Sequence, residues 1–197
     1  MHQEFNAAYW QKRYQVAQTG WDVGAITTPL KDYFDQLTDK NKRILVPGCG
    51  HAYEAEYLYR HGFEQVYVAD IAEAPLQQLA ARVPQFPKEQ LLQQDFFTLQ
   101  GTYDLIIEQT FFCALPPELR PAYARQCAKL LAPGGKLVGL LFDTTFEQAG
   151  PPFGGSKAEY EMYFSPYFDF LHFDSAYNSI KPRQGRELFM VLQVKSR

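Results

Sequence analysis

Apolar positions along the chain follow two rhythms. Between residues 43 and 142, short continuous runs such as Ile44-Leu45-Val46, Val66-Tyr67-Val68-Ala69, Leu105-Ile106-Ile107 and Leu137-Val138-Gly139-Leu140-Leu141 alternate with longer stretches of helical spacing. Continuous apolar runs are what strands covered on both faces require. The pattern predicts strands at 43–47, 66–70, 90–94, 103–108 and 136–142, separated where space allows by helices near 52–61, 72–82 and 117–131. Two more strand-like runs, 167–176 and 187–195, are joined by a loop containing Lys181-Pro182-Arg183-Gln184-Gly185, which implies an antiparallel pair at the C-terminus. The expected fold is therefore α/β, a doubly wound, mostly parallel seven-stranded sheet ending in that pair. Ahead of it, residues 6–18 read as a helix bearing Tyr9, Trp10 and Tyr14, broken by Gly20-Trp21-Asp22 and Thr28-Pro29 and resumed over 30–37.

Composition narrows the partners. A chain of 197 residues, 46% hydrophobic and 16% aromatic, suits one core, so a single domain over 1–197 is expected, with 1–37 as an aromatic lid segment. A net charge of -3 gives no general attraction for a polyanion, which points to a small-molecule acceptor and away from nucleic acid. Cys49, Cys113 and Cys127 are odd in number and widely spaced, which suggests neither a disulfide framework nor a zinc site, and fits the cytoplasm. The N-terminus lacks a cationic start and an apolar run, and no window is apolar enough for a membrane span. A soluble monomer is expected.

Candidate chemistry lies at the strand ends. Val46-Pro47-Gly48-Cys49-Gly50 joins a strand to a glycine turn, and Asp70 stands at the end of the next strand, placed to accept hydrogen bonds from both hydroxyls of a ribose. The third glycine of a dinucleotide site is absent, which favours a nucleoside cofactor without a pyrophosphate. Asp95-Phe96 follows the third strand, where the carboxylate can receive an exocyclic amine and the aromatic can lie on a purine. Both aspartates also have a plain reading as helix or turn caps. Residues 108–113 follow the fourth strand at the carboxyl edge where open α/β sheets bind ligands. Ala132-Pro133-Gly134-Gly135-Lys136 reads as a structural turn, and Arg183 and Arg186 as solvated surface. The four histidines are scattered without an evident orienting carboxylate.

These pieces together resemble the class I S-adenosylmethionine-dependent methyltransferases, and more narrowly the thiopurine methyltransferase superfamily with its thiol and halide methyltransferases. The resemblance rests on Trp10, Tyr14 and Trp21 ahead of Asp22, on Val46 to Gly50, on Phe111-Phe112-Cys113-Ala114-Leu115, on Arg120-Pro121-Ala122-Tyr123-Ala124 and on Gly150-Pro151-Pro152-Phe153. It implies that Trp10, Tyr14 and Trp21 cover S-adenosyl-L-methionine, that Gly48 and Gly50 line its methionine end, that Asp70 holds the ribose, and that Asp95 and Phe96 hold adenine. On the acceptor side, Glu108 and Phe111 in the loop after the fourth strand are candidates to border the pocket, Phe111 having core as its plain reading, and the resemblance adds Phe153. Tyr14 stands where the plant-like thiol and halide enzymes carry Trp, and Phe153 where they carry Tyr; Phe at that place resembles the thiopurine branch. The activity implied is methyl transfer to a small soft nucleophile, a thiol, hydrosulfide, thiocyanate, halide or thiopurine-like thiol. An NAD-dependent oxidoreductase would share the glycines and Asp70, and a non-catalytic S-adenosylmethionine-binding protein would share the whole pocket.

Overall fold

The structure, a computed structural model, describes residues 5–196. Its strands are β1 (Ile44–Pro47), β2 (Val66–Asp70), β3 (Leu91–Gln93), β4 (Tyr103–Gln109), β5 (Leu131–Phe142), β6 (Phe168–Ser175) and β7 (Glu187–Val194). They form one seven-stranded sheet in the order β3-β2-β1-β4-β5-β7-β6. The first five are parallel, and β7 runs antiparallel between β5 and β6. The helices are α1 (Ala7–Gln15), α2 (Thr28–Phe34), α3 (Tyr53–Arg60), α4 (Glu73–Arg82), α5 (Arg120–Leu130) and α6 (Lys157–Phe164).

Alternation along each strand explains why the apolar runs are continuous. Ile44, Val46, Leu105, Ile107 and Val138 pack on one face with Leu30, Phe34, Leu58 and Leu79 from α2, α3 and α4. Leu45, Ile106 and Leu137 pack on the other with Tyr123 and Cys127 from α5 and Phe164 from α6. Neither face can be polar, because each is a core. The chain winds from β1 outward to β3, then returns to the opposite side of β1 as β4. That reversal leaves a crevice at the carboxyl ends of β1 and β4, the place where such sheets hold ligands.

The structure departs from the sequence expectation in two elements. β5 begins at Leu131 rather than 136, because Leu131 already pairs with Tyr103 and the Pro-Gly-Gly turn is absorbed as a register shift before Lys136 meets Leu105. Helix α6 was not anticipated. Its start carries a readable signal, Ser156-Lys157-Ala158-Glu159, and the Ser156 hydroxyl accepts from the Glu159 N–H at 3.3 Å.

The aromatic N-terminal helix is an attachment to this frame. α1 has no fully buried residue, and its start is capped by Asn6, which accepts from the Tyr9 N–H at 3.0 Å. It docks on α4 through Gln11, whose Oε1 accepts from the N–H groups of Glu73 and Ala74, both at 3.0 Å. Those donors belong to the first turn of α4 and have no partner within their own helix. Residues 1–4 of the expected lid segment lie outside the described residues.

Candidate active site

The turn after β1 is left-handed at Gly48 (φ +54°), Gly50 (φ +53°) and Ala52 (φ +56°). A Cβ on Gly48 would run into the ring of Phe111, which comes from the loop after β4. The reason for glycine at 48 is therefore a packed aromatic ring as well as a backbone angle, where the sequence suggested ligand approach. At Gly50 the angle alone decides, since a Cβ would stand 3.7 Å from Tyr14 Oη and Trp21 Nε1. Gly48→Ala is expected to lower unfolding free energy by about 2–5 kcal/mol, adding left-handed strain of about 1–2 to overpacking of about 1–3. Chemical denaturation would measure it, and an unchanged midpoint would contradict the packing argument.

Asp70 and the glycine turn meet. The Cys49 N–H donates to the Ala69 carbonyl at 3.3 Å, and Asp70 Oδ1 accepts from the Ala72 N–H at 2.9 Å. Burial pushes the Asp70 carboxyl up to about 6, opposed by the neighbouring N–H groups of Ala72, Gly50 and Ile71. The cap reading holds, and the same carboxylate also lines the cavity. Asp95 shows the same duality. Its Oδ1 accepts from the Phe97 N–H at 3.0 Å, closing a short 3-10 turn, and it too lines the cavity. Phe96 is 3% exposed, its ring packed 5.4 Å from Phe111 and 5.2 Å from Tyr123, so the neighbouring Phe97, partly buried, offers the freer face. Gln126 on α5 steadies this turn by donating to the carbonyls of Phe96 (2.9 Å) and Leu99 (3.0 Å), a role no sequence signal marked.

The expectation for Glu108 as a group facing the acceptor is corrected. Glu108 is fully buried and does not line the cavity. Its Oε1 accepts from the N–H groups of Phe111 and Phe112, both at 2.8 Å, and its Oε2 from the Tyr123 hydroxyl at 2.6 Å. Burial pushes it up to about 7, against those three donors. Its work is to fix the loop in which Thr110 (φ +60°) turns and Phe111 crosses Gly48. Phe111 lines the cavity. Phe153 does not: its ring lies 5.9 Å from that of Phe5, which does line it, and its N–H donates to the Cys113 carbonyl at 2.6 Å. Arg120, 1% exposed, holds this segment by donating to the carbonyls of Phe153 (3.2 Å) and Gly154 (2.9 Å) and to Glu159 (2.9 Å). The Arg120 to Tyr123 motif therefore clamps two loops at once.

Trp10, Tyr14 and Trp21 converge over the glycine turn. The Trp21 ring meets Trp10 at 5.6 Å and Tyr14 at 5.7 Å, both edge to face, and all three line the cavity. The Tyr14 hydroxyl is held protonated by burial and by the nearby Asp70 charge. His51, which lacks a carboxylate partner in sequence, has one in space: its Nδ1 lies 3.5 Å from Asp22 Oδ2. Its imidazole is pushed down by burial, and it stacks on Tyr53 without lining the cavity. Arg183 is a second correction, since it is 7% exposed, lines the cavity and donates to the Trp21 carbonyl at 2.9 Å. Arg186 is exposed as expected, its guanidinium 5.2 Å from the Phe146 ring.

These residues enclose a cavity of about 1120 Å³ at the carboxyl ends of the parallel strands, beyond the usual ligand-site range of about 300–1,000 Å³ and roomy enough for a nucleoside cofactor and an acceptor together. The donor set suits S-adenosylmethionine: an acid beside a bare turn for ribose, an acid and aromatic for adenine, and aromatic faces for a sulfonium.

Fold and pocket are those of an S-adenosylmethionine-dependent methyltransferase. The fold is similar to that of 1,6-didemethyltoxoflavin-N1-methyltransferase from Burkholderia thailandensis, solved with bound S-adenosylhomocysteine, with a TM-score of 0.78 at 15% identity over 96% of this chain and 87% of that one. It is similar also to magnesium protoporphyrin IX methyltransferase from Synechocystis with bound S-adenosylmethionine, with a TM-score of 0.71 at 17% identity over 96% and 95%. The family described as Thiopurine S-methyltransferase (TPMT) matches residues 5–193, and the chain belongs to that family. Probable thiol methyltransferase 2 of Arabidopsis thaliana is 32% identical over 93% of this chain and 84% of its own length. Thiocyanate methyltransferase 1 of Brassica oleracea is 32% identical over 90% and 81%. Thiopurine S-methyltransferase of Psychrobacter cryohalolentis is 27% identical over 83% and 86%.

Proposed function

We propose that this methyltransferase acts on acceptors that reach it as soft anions: a thiolate, hydrosulfide, thiocyanate, halide or thiopurine-like thiolate. The charge of the cavity wall carries the reading. Its charged side chains are Arg13, Arg125, Arg183 and Arg186 against Asp22, Asp70 and Asp95, and among the described residues no histidine, glutamate or lysine lines it. Asp70 and Asp95 belong to the cofactor end, and Asp22 accepts from the Gly24 N–H at 2.8 Å with its other oxygen 3.5 Å from His51 Nδ1. With no free base, an acceptor needing deprotonation at a hydroxyl or amine is poorly served. A thiol of pKa about 8.5 supplies thiolate near neutral pH, and Arg13, Arg125 and Arg186 on the wall increase that fraction, Arg183 being paired with Glu187.

S-adenosylmethionine supplies an electrophilic methyl on a sulfonium cation. Asp70, Asp95 and the backbone at 48–50 hold and orient the nucleoside, while Trp10, Tyr14 and Trp21 face the cation and exclude water. Each aromatic contact contributes about 0.5–2 kcal/mol, whereas in-line placement of the two reactants is worth about 7–11 kcal/mol when fully realised. Phe111 and the 150–153 segment border the acceptor, with Phe153 acting from behind Phe5. The reading takes the chain as one domain with a lid over 1–37, working as a cytoplasmic monomer. Three buried free thiols, Cys49, Cys113 and Cys127, agree with a reducing compartment.

The test incubates the protein with methyl-labelled S-adenosylmethionine and separate thiol, thiocyanate, halide and thiopurine acceptors. Labelled methyl sulfide, thiocyanate, halide or thiopurine product is expected. Cofactor binding without any product would favour a pure binder, and NAD binding in a parallel titration would favour the oxidoreductase.

A further inference from the structure

We infer that Arg183 is a positioning residue for methyl transfer, acting through Trp21 to hold the aromatic lid shut over the cofactor. The inference rests on the proposed function and adds to it the element that keeps the site closed.

Trp21 belongs to the loop after α1, and its ring closes over Gly50. Nothing in that loop is regular: 16–26 contains no helix or strand, and its local ties are few, among them Asp22 accepting from the Gly24 N–H and Arg13 donating to the Gln18 carbonyl and lying 5.5 Å from the Trp21 ring. A loop of this kind needs fastening from outside to stay in one place. Gln11 of α1 secures one end of the lid on the first turn of α4, and at the tip Asp22 Oδ2 lies 3.5 Å from His51 Nδ1. Arg183 supplies the third fastening from the opposite end of the chain.

Its own placement is over-determined. The 3-10 turn Lys181–Arg183 fixes the backbone, with the Arg183 N–H bonded to the Ile180 carbonyl at 2.8 Å and its carbonyl accepting from Arg186 at 3.0 Å. Nη1 lies 3.4 Å from Glu187 Oε1, and Glu187 Oε2 accepts from the Ser179 hydroxyl at 2.7 Å. Glu54, buried at the start of α3 just past the glycine turn, lies within the field of the same guanidinium. Nη2 is left to donate to the Trp21 carbonyl. A planar guanidinium can serve a carboxylate and a carbonyl in two directions at once, which a lysine ammonium does less well. The geometry thus couples the C-terminal hairpin and the lid through one buried cation.

The chain has two tryptophans, Trp10 and Trp21, both in the lid, so intrinsic fluorescence reports lid closure directly. Arg183→Lys and Arg183→Met are compared with the parent by acrylamide quenching with S-adenosylhomocysteine bound, and by kcat and KM with a neutral thiol and with thiocyanate. Circular dichroism checks the fold. The Met variant is expected to be quenched at least twofold more readily and to lose at least tenfold in kcat, by factors that agree for the two acceptors. The Lys variant keeps the buried charge and is expected to fold like the parent while showing the same direction of change, so a Met variant that fails to fold leaves the test intact. Unchanged quenching and kcat in a folded variant would overturn the latch. A loss confined to thiocyanate would overturn it too, since Arg183 would then contact the acceptor's charge. Failure of the parent to bind S-adenosylhomocysteine would instead sink the proposed function.

Discussion

Asp70→Asn is expected to weaken S-adenosylhomocysteine binding by about a hundredfold while leaving the unfolding temperature of the ligand-free protein unchanged or raised. Hydrogen bonds to a charged group are worth about 1.5–3 kcal/mol each, and two ribose hydroxyls donating to one carboxylate lose about 3 kcal/mol between them when that charge goes. The fold tolerates the change because asparagine keeps an oxygen for the Ala72 N–H, now accepted at 2.9 Å, and because an ionised acid in that partly buried place is costly, as its rise to about 6 indicates. The sign with pH follows. Hydroxyl donors favour the ionised form, so affinity in the parent should be level above about 7 and fall as pH drops through about 6. Calorimetric titration between pH 5 and 8 separates the two proteins: the Asn variant should show no such fall. Equal affinities at pH 8 would remove Asp70 from the ribose.

Glu108 gives the second large effect, and its two substitutions should diverge. Glu108→Ala strands the N–H groups of Phe111 and Phe112 and the hydroxyl of Tyr123 in the core. At about 1–3 kcal/mol for each orphaned group, the loss is on the order of 5 kcal/mol, comparable with the whole stability of many domains at about 5–15 kcal/mol. The alanine variant is expected to be largely unfolded or aggregated at 37 °C. Glu108→Gln keeps Oε1 for both N–H groups and can donate from its amide to the Tyr123 oxygen, whose proton then turns toward Cys127. That variant should fold and retain turnover within about tenfold, whereas removal of a true general base costs about 10²- to 10⁴-fold. The parent should also lose stability relative to the Gln variant as pH rises from the ordinary glutamate range through about 7. A carboxyl whose folded value is raised by burial contributes its stability below the unfolded value and forfeits it as it ionises. Turnover abolished in a folded Gln variant would restore Glu108 to the chemistry.

The strands were legible because their requirement is local and one-sided: a strand with a core on each face admits no polar residue, so Leu105-Ile106-Ile107 could be little else. The glycine turn and Asp70 were legible for a similar reason, as a left-handed backbone and a strand-end carboxylate declare themselves without their neighbours. Helix α6 was legible in principle through its capping box and went unread because its apolar face is narrow: Tyr160 and Phe164 alone are buried. Glu108 is placed on the acceptor side by its position along the chain and Phe153 by the resemblance, but a side chain in a loop can point either way: Glu108 turns into the core, and Phe153 packs against Phe5 instead of lining the cavity.

What the sequence determined by itself is the sheet, the order of its elements and the chemistry presented at its carboxyl edge, because periodicity, turn angles and residue type act over a few neighbouring residues. The tertiary structure alone decided which charges work and which only hold. Arg183 and Trp21 are 162 residues apart, Arg120 and Gly154 34 apart, and Glu108 and Tyr123 15 apart. Whether such a side chain is solvated or buried against a carbonyl depends on where distant segments pack, and burial is what turns a surface arginine or a plausible base into a fastening.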